Sequence, residues 1–412
     1  MNFLRVLLFL PSITLGLLGS AEVLPLVSFY ALINYRYISG SIFTFILCFL
    51  PWIFYGLLLD NVTYFDLARS SVSMINVLVL FFLVPNLPMS EIEKLKKAGL
   101  FALLASVLVG VIQYFNFLPI DSLIRFLIPR SVIGVNEAIG LGARGISGLA
   151  TEPGRQGMEI VFIAAFLIYF WLKDLKGSNN NKIKAFSLLA LIGIYLFFMN
   201  KSATGIVFYS ILIFSALLVF LYRSKNKIRN IVIMPILVIA ILFIGMQNLS
   251  QERIDRIKES NRILTLAFIF AESNPSQFLN LITDYGGFRL SSILVHYRSP
   301  SLLGHGVGNS HNITGALIKE DDWLYGSRFY RTPQFSDLYV RPNSLLASYI
   351  AEIGLIGTLL VLMFIFFNLS AKSIQINISK IIHSTPMIFG LVAVGASGHP
   401  GAGIALLLIL RE

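Results

Sequence analysis

Along most of this chain the apolar positions do not alternate with polar ones but run on unbroken. Apolar runs of roughly 17–25 residues, punctuated by short polar stretches, predict helices that cross a membrane. Read this way, the sequence predicts spans near 4–20, 22–35, 41–59, 70–88, 98–118, 158–172, 185–199, 205–222, 230–247, 344–368, 385–397 and 402–410. The first and last pairs are short, so about twelve is the working count, with eleven or ten as alternatives. The expected fold class is an all-α polytopic membrane protein. Its amino terminus also carries features of a signal peptide (Arg5, an apolar core, then LGSAE), but with so many spans behind it an uncleaved first helix is expected.

Composition agrees with the pattern. Of the 412 residues, 56% are hydrophobic and 13% charged, against about 25% charged in a soluble globular chain. The single cysteine, Cys48, lies in an apolar run and excludes a disulfide within the chain. The net charge of +11 would point to nucleic acid in a soluble domain. Here it is assigned to loop lysines and contacts with anionic lipid, with no nucleic-acid partner.

Basic residues in short loops set the orientation. An amino terminus inside makes EKLKK (93–97), KDLKGSNNNKIK (173–184), YRSKNKIR (222–229) and AKSIQINISK (371–380) cytoplasmic. The opposite orientation puts all four outside, against the rule. Both termini are therefore expected inside, with residues 119–157 and 248–343 facing out. On this placement the inner basic residues are mostly Lys and the outer ones mostly Arg. Arg presents a planar fork that binds phosphate or carboxylate in bidentate fashion. An Arg-rich outer face suggests an anion site, and ordinary loop ion pairs with Glu252, Glu259, Asp284 and Asp321 are the alternative.

The first outer loop opens with FLPIDSLIRFLIPR, a candidate interfacial helix, and continues GLGARGISGLATEPGRQG. Its glycines permit tight turns, and Arg144, Glu152 and Arg155 sit where the chain re-enters the membrane. Such groups at a membrane edge either pair with one another or bind a ligand. Lys201 lies in a tight outer turn, NKSATG, and is a weaker substrate contact candidate. In the large outer segment QERIDRIKESNRI reads as a solvated helix. An amphipathic helix is expected over 286–298, carrying Arg289, His296 and Arg298. The glycines of SPSLLGHGVGNSHN lack the strand–turn–helix setting of a dinucleotide site. No metal-ligand spacing and no G-x-S-x-G elbow is present.

Three stretches together carry a family resemblance. Arg289, Pro300, Gly304, Gly306, Gly308 and Asn309 form the run R-x10-P-x3-G-x-G-x-G-N. Asn343-Ser344 is followed after nine residues by Gly354-Leu-Ile-Gly357, and RGISGLATEP precedes both. In this order the three resemble the periplasmic loops of the bacterial O-antigen polymerase and ligase family. Ligases of that family carry His where this chain has Asn343, so the resemblance favours the polysaccharide polymerase branch.

The resemblance implies a GT-C-like, inverting glycosyltransferase of the bacterial inner membrane, without metal or cofactor. Its donor would be an oligosaccharide chain on undecaprenyl pyrophosphate, and its acceptor one lipid-linked repeat unit. Enzymes of this kind commonly work with a polysaccharide chain-length regulator. Negative charge builds on the leaving pyrophosphate oxygen, where fixed cations stabilise the transition state. Arg144 or Arg155 from one loop and Arg289 from the other are the expected clamp, with Arg341 as a further candidate and Asn343 beside it. Glu152 and His305 are the candidate bases, and His311 follows. Gly304 and Gly306 shape the loop. Glu352, about two turns into the next helix, is expected to hold the loop rather than take a proton. Trp323, Tyr325, Phe329, Tyr330 and His399 are candidates to line the site. A flippase or transporter of the same lipid-linked sugars is the reading from another class. It predicts charges along the spans and internal repeats, which the sequence does not display.

Overall fold

Every regular element in the computed structural model is helical among the described residues, which are 2–13, 26–115, 121–128, 145–173, 179–223, 291–321, 324, 342, 344–371, 377–392 and 400–411. Helices α1 (Asn2–Leu7), α2 (Leu26–Ile33), α3 (Ser41–Leu57), α4 (Tyr64–Leu83) and α5 (Met89–Phe115) come first. They are followed by α6 (Asp121–Leu127), α7 (Pro153–Lys173), α8 (Asn179–Ile194) and α9 (Ala203–Arg223). A helical stretch at 291–298 precedes α10 (Ser310–Glu320), α11 (Leu345–Ala371), α12 (Ile378–Val392) and α13 (Pro400–Arg411).

Among the described residues, five stretches are long and apolar enough to cross a membrane: Tyr64–Asn86, Met89–Phe115, Pro153–Leu172, Ile183–Asn200 and Leu345–Ser370. Ser41–Leu57, Ala203–Val219, Ile378–Val392 and Pro400–Arg411 are apolar but shorter. The chain is thus a helical membrane protein. The expected span at 230–247 lies outside the described residues.

Of the expected first span, 4–20, only residues up to 13 are described, and in that part the helix is shorter than expected. Helix α1 stops at Leu7, and residues 8–13 run as turns. Pro11 accounts for this, since its ring clashes with the carbonyl four residues back, that of Leu7, and it supplies no N–H. Helix α4 starts at Tyr64, not near 70, because Thr63 caps it. The Thr63 hydroxyl oxygen accepts the Asp66 N–H at 3.1 Å. Helix α5 begins at Met89, so EKLKK is helix and not loop. Within it Glu91 accepts hydrogen bonds from Arg5 (2.6 Å) and Lys94 (2.6 Å), and the Arg5 guanidinium is buried.

Hydrogen bonds define the two ends of the bundle. At one end Ser39 N donates to Phe82 O, Asn368 Nδ2 to Phe81 O and Arg411 to Val84 O. Arg5 and Glu91 lie at this end too. Helix α5 is about 40 Å long, which places its far end, with α6 and the turn after α8, at the opposite face. The loops 145–152 and 301–309 lie at that opposite face, here called the loop end.

Helix α7 is the buried axis. Residues Ile160–Phe166 are almost wholly enclosed, and Phe166 stacks on Phe9 at 5.6 Å. It meets α9 at Gly157 and Gly205, where a Cβ on Gly157 would stand 2.5 Å from the Gly205 Cα. Small residues at such a crossing let the two backbones touch.

Candidate functional site

Helix α11 is opened about two and a half turns below its start. Gly354 takes φ 71 and ψ −177, outside the helical region and accessible chiefly to glycine. In a continuous helix the amides of Leu355 and Ile356 would donate to Ala351 and Glu352. Here they donate to Ser301 O (2.9 Å) and Leu302 O (3.1 Å). The vacated carbonyls of Ala351 and Glu352 accept His305 N (2.9 Å) and Gly306 N (3.0 Å). Loop 301–306 thus replaces two rungs of the helix ladder with its own backbone, as a clip. Buried backbone groups must be paired, so such a break is tolerated only where protein fills it.

The glycines make the clip possible. Gly304, Gly306 and Gly308 have φ of 80, 87 and 90. Val307, between the last two, passes so close to α3 that a Cβ on Gly56 would lie 2.3 Å from its carbonyl oxygen. Trp52 Nε1 donates to Leu303 O (2.9 Å), and Val307 N donates to Trp52 O (3.3 Å). Asn309 Oδ1 accepts from Asn61 Nδ2 (3.2 Å) and Asn312 Nδ2 (3.0 Å), which ties the loop to the turn between α3 and α4.

Glu352 is buried at the centre of this arrangement. Its Oε1 accepts the hydroxyls of Ser310 (2.6 Å) and Ser70 (3.0 Å), and its Oε2 accepts Gly308 N (3.2 Å). One carboxylate therefore joins α4, α10, α11 and the glycine loop. Three donors on one carboxylate stabilise its charge.

Two histidines flank the clip. Thr314 has one hydroxyl proton, and it goes to Ser310 O at 2.5 Å. Its oxygen must therefore accept at 2.8 Å from His296 Nε2, which fixes the neutral tautomer with the proton on Nε2. Burial pushes the His296 imidazole down to about 4, and the charge of His305 adds to the effect. Burial also lowers half-buried His305. Both are thus neutral near pH 7 and hold an acceptor nitrogen. His311 is buried with Nε2 3.8 Å from Asp66 Oδ2 at the start of α4.

A second polar cluster lies at the same end. The chain at Tyr195–Asn200 widens into a π-helical turn, and Lys201 follows in the left-handed region with φ 49. Asn200 Nδ2 donates to Ile146 O (3.1 Å), Pro153 O (2.9 Å) and Gln156 Oε1 (3.0 Å). Gln156 Nε2 donates to Tyr195 Oη (2.7 Å) and Ser106 O (3.1 Å). This network docks loop 145–152 against the turn carrying Lys201. Half-buried Glu152 and Arg155 stand at the start of α7, and Gly154 faces Ser202 and Thr204 of the same turn.

The candidates therefore fall into two groups at one end. Glu152, Arg155 and Lys201 gather at the starts of α7 and α9. Gly304, Gly306, His305, His311 and Glu352 gather at the opened turn of α11. Arg144, Arg289, Arg341 and Asn343 lie outside the described residues, as do Trp323, Tyr325, Phe329, Tyr330 and His399. Arg298 forms an exposed 2.7 Å pair with Asp321, one of the ion pairs foreseen as an alternative to anion binding. The sequence reading passed over Asp66, Ser70, Gln156, Asn200 and the fixed tautomer of His296. A threonine three residues before Asp66 is a capping signal that would have brought Asp66 and Ser70 into a helix. Compared with protein-family models, with curated proteins and with solved structures, the chain matches none.

Proposed function

We propose that this protein is an integral membrane glycosyltransferase that polymerises oligosaccharide repeat units linked to undecaprenyl pyrophosphate. The loop end faces the periplasm and both termini the cytoplasm of a bacterial inner membrane. The acceptor hydroxyl attacks the anomeric carbon of the donor chain. The C1–O bond to the carrier breaks, its electron pair leaves with the lipid pyrophosphate, and the configuration inverts. The acceptor proton passes to a base.

The observation that carries this reading is the gathering of neutral imidazole, carboxylate and cationic groups at one end of an apolar bundle. The three loop motifs supply the family direction. In this scheme Arg155 and Lys201, with Arg144, Arg289 and Arg341, hold the pyrophosphate. His305 is the preferred base, because burial keeps it unprotonated near pH 7 and it rides on the clipped loop. Glu152 and His311 are the other candidates, and Asn343 contacts the sugar. Glu352, Gly304 and Gly306 hold the loop in place. A polysaccharide chain-length regulator is the proposed protein partner.

A transporter of the same lipid-linked sugars is favoured by one observation, the interrupted helix α11, since transporters bind cargo at broken helices. The break in α11 is filled by the chain's own backbone, which leaves its freed groups occupied. Liposomes holding the purified protein and a lipid-linked repeat unit separate the readings. The polymerase gives a ladder of lipid-linked oligomers. Movement of intact units across the bilayer without oligomers would replace it with the transporter.

A further inference from the structure

The glycine loop joins α11 well below the start of that helix, and two helices measure the depth. The apolar stretch Leu345–Ser370 is about 39 Å long at 1.5 Å per residue, against a hydrocarbon core of about 30 Å. It therefore overhangs the core by about 4–5 Å at each end. Gly354 stands about 13–14 Å along it, and so about 9 Å inside the core. The stretch that begins as α4, Tyr64–Asn86, gives the same level independently. It is about 34 Å long, and Ser70, about 9 Å along it, falls about 7 Å inside. Ser70 donates to Glu352, which the count along α11 puts about 6 Å inside. Loop 301–306 is clipped at this level and not above it.

The backbone of the loop suits that depth. Irregular backbone inside a membrane is tolerated only where protein satisfies its polar groups. The carbonyls of Ser301 and Leu302 accept the two α11 amides, and that of Leu303 accepts Trp52 Nε1 (2.9 Å). Those of His305 and Gly306 accept Asn309 Nδ2 (3.0 Å) and Asn309 N (3.2 Å). The Gly304 amide donates to Ser301 Oγ (3.0 Å). The next four amides, His305 to Gly308, donate in turn to Ala351 O, Glu352 O, Trp52 O and Glu352 Oε2. The leucine side chains are left outside this network. Leu302 and Leu303 are 65% and 66% exposed, and Ile356, whose amide binds Leu302 O, is exposed as well. A loop with its polar groups turned into the protein and two bare leucines turned out has the surface of a lipid contact, since apolar surface gains by leaving water.

We propose that loop 301–306 is a re-entrant segment whose Leu302 and Leu303 insert among the acyl chains of the leaflet on the loop-end side. Residues 301–306 then leave the aqueous segment 248–343 in which hydropathy placed them and belong to the membrane. The insertion holds His305, two residues beyond Leu303, at the edge of the lipid. It does not depend on glycosyl transfer, and its test reads lipid contact alone.

The test uses the full-length protein in liposomes. Leu302→Cys and Leu303→Cys are each made together with Cys48→Ser, which removes the single native thiol, and carry the fluorophore NBD. Both should emit as in an apolar medium. Each should lose most of its fluorescence to phosphatidylcholine with a doxyl group midway down an acyl chain, and little to aqueous iodide. NBD on Glu320→Cys, at the exposed end of α10, should show the reverse. Wild-type protein supplies a second measurement. Phosphatidylcholine with a diazirine midway down one chain should crosslink to residues 301–303, as mapped by mass spectrometry. Fluorophores at 302 and 303 that the lipid doxyl does not quench overturn the proposal, whether or not iodide reaches them. Should the cysteine variants fail to fold, the photolabelling decides alone, and crosslinks on α11 without any at 301–303 overturn it.

Discussion

Gly304 and Gly354 meet backbone to backbone, and neither has room for a side chain. A Cβ on Gly304 would lie 2.5 Å from Gly354 N, and one on Gly354 would lie 2.3 Å from Gly304 N. Each also sits at positive φ, at 80 and 71. The clip between loop 301–306 and α11 therefore depends on two mutually required glycines, 50 positions apart in the chain.

Gly354→Ala should open the clip. The substitution combines backbone strain of about 1–3 kcal/mol with a direct overlap, and a continuous α11 relieves both. In hydrogen exchange the amides of His305, Gly306, Leu355 and Ile356 report the result. The loop amides should lose protection while those of α11 keep theirs through restored helical bonds. Protection of His305 and Gly306 equal to wild type would contradict the clip.

Glu352→Gln should be milder than Glu352→Ala. The amide keeps one oxygen for Ser70 and Ser310 but turns its NH2 toward the amide of Gly308, setting donor against donor. The expected loss is about 1–3 kcal/mol for one unsatisfied buried group, read as a lower melting temperature in detergent. Alanine strands all three donors and should cost more. Normal folding with complete loss of polymer in Glu352→Gln would instead place Glu352 in the chemistry.

Acid should loosen the loop end through His296. Its folded value of about 4 lies below the ordinary 6.5, so the unfolded chain binds the proton more readily. Stability from this group is full above about pH 6.5 and falls as the pH drops toward 4, by on the order of 3 kcal/mol in total. Melting measured from pH 7.5 to 4.5 should show this decline, and His296→Gln should flatten it. An unchanged decline in that variant would assign it to other groups.

The Arg298–Asp321 pair should contribute little despite its 2.7 Å contact. Half of the Arg298 side chain is exposed, and exposed pairs give about 0.2–1 kcal/mol. A double-mutant cycle on melting should find a coupling in that range, smaller at high salt.

The helical membrane character was legible because unbroken apolar runs have one structural solution in lipid. The helix ends were less so. Pro11 marked the stop at Leu7 in plain view, yet the apolar run continued past it and masked the break. Thr63 and Asp66 spelled out a helix start that hydropathy alone placed near residue 70. The glycines of GHGVGN were visible as a turn, but their insertion into α11 was not, because no local pattern encodes which helix gives up its rungs. Gln156 stood in the polar stretch TEPGRQG and Asn200 at the end of an apolar run, with nothing in the sequence to pair them. Their union needs the π-helical turn at Tyr195–Asn200, which shifts the helical register and leaves no periodic trace.

The central claim is that this loop end joins sugars, and bond formation tests it most directly. Purified protein is given one lipid-linked donor and one lipid-linked acceptor, and product and carrier are counted by mass spectrometry. The account predicts one released undecaprenyl pyrophosphate for each new glycosidic bond, with the new bond inverted at the anomeric carbon. Donor and acceptor recovered unchanged, from protein that retains the clip, would contradict it.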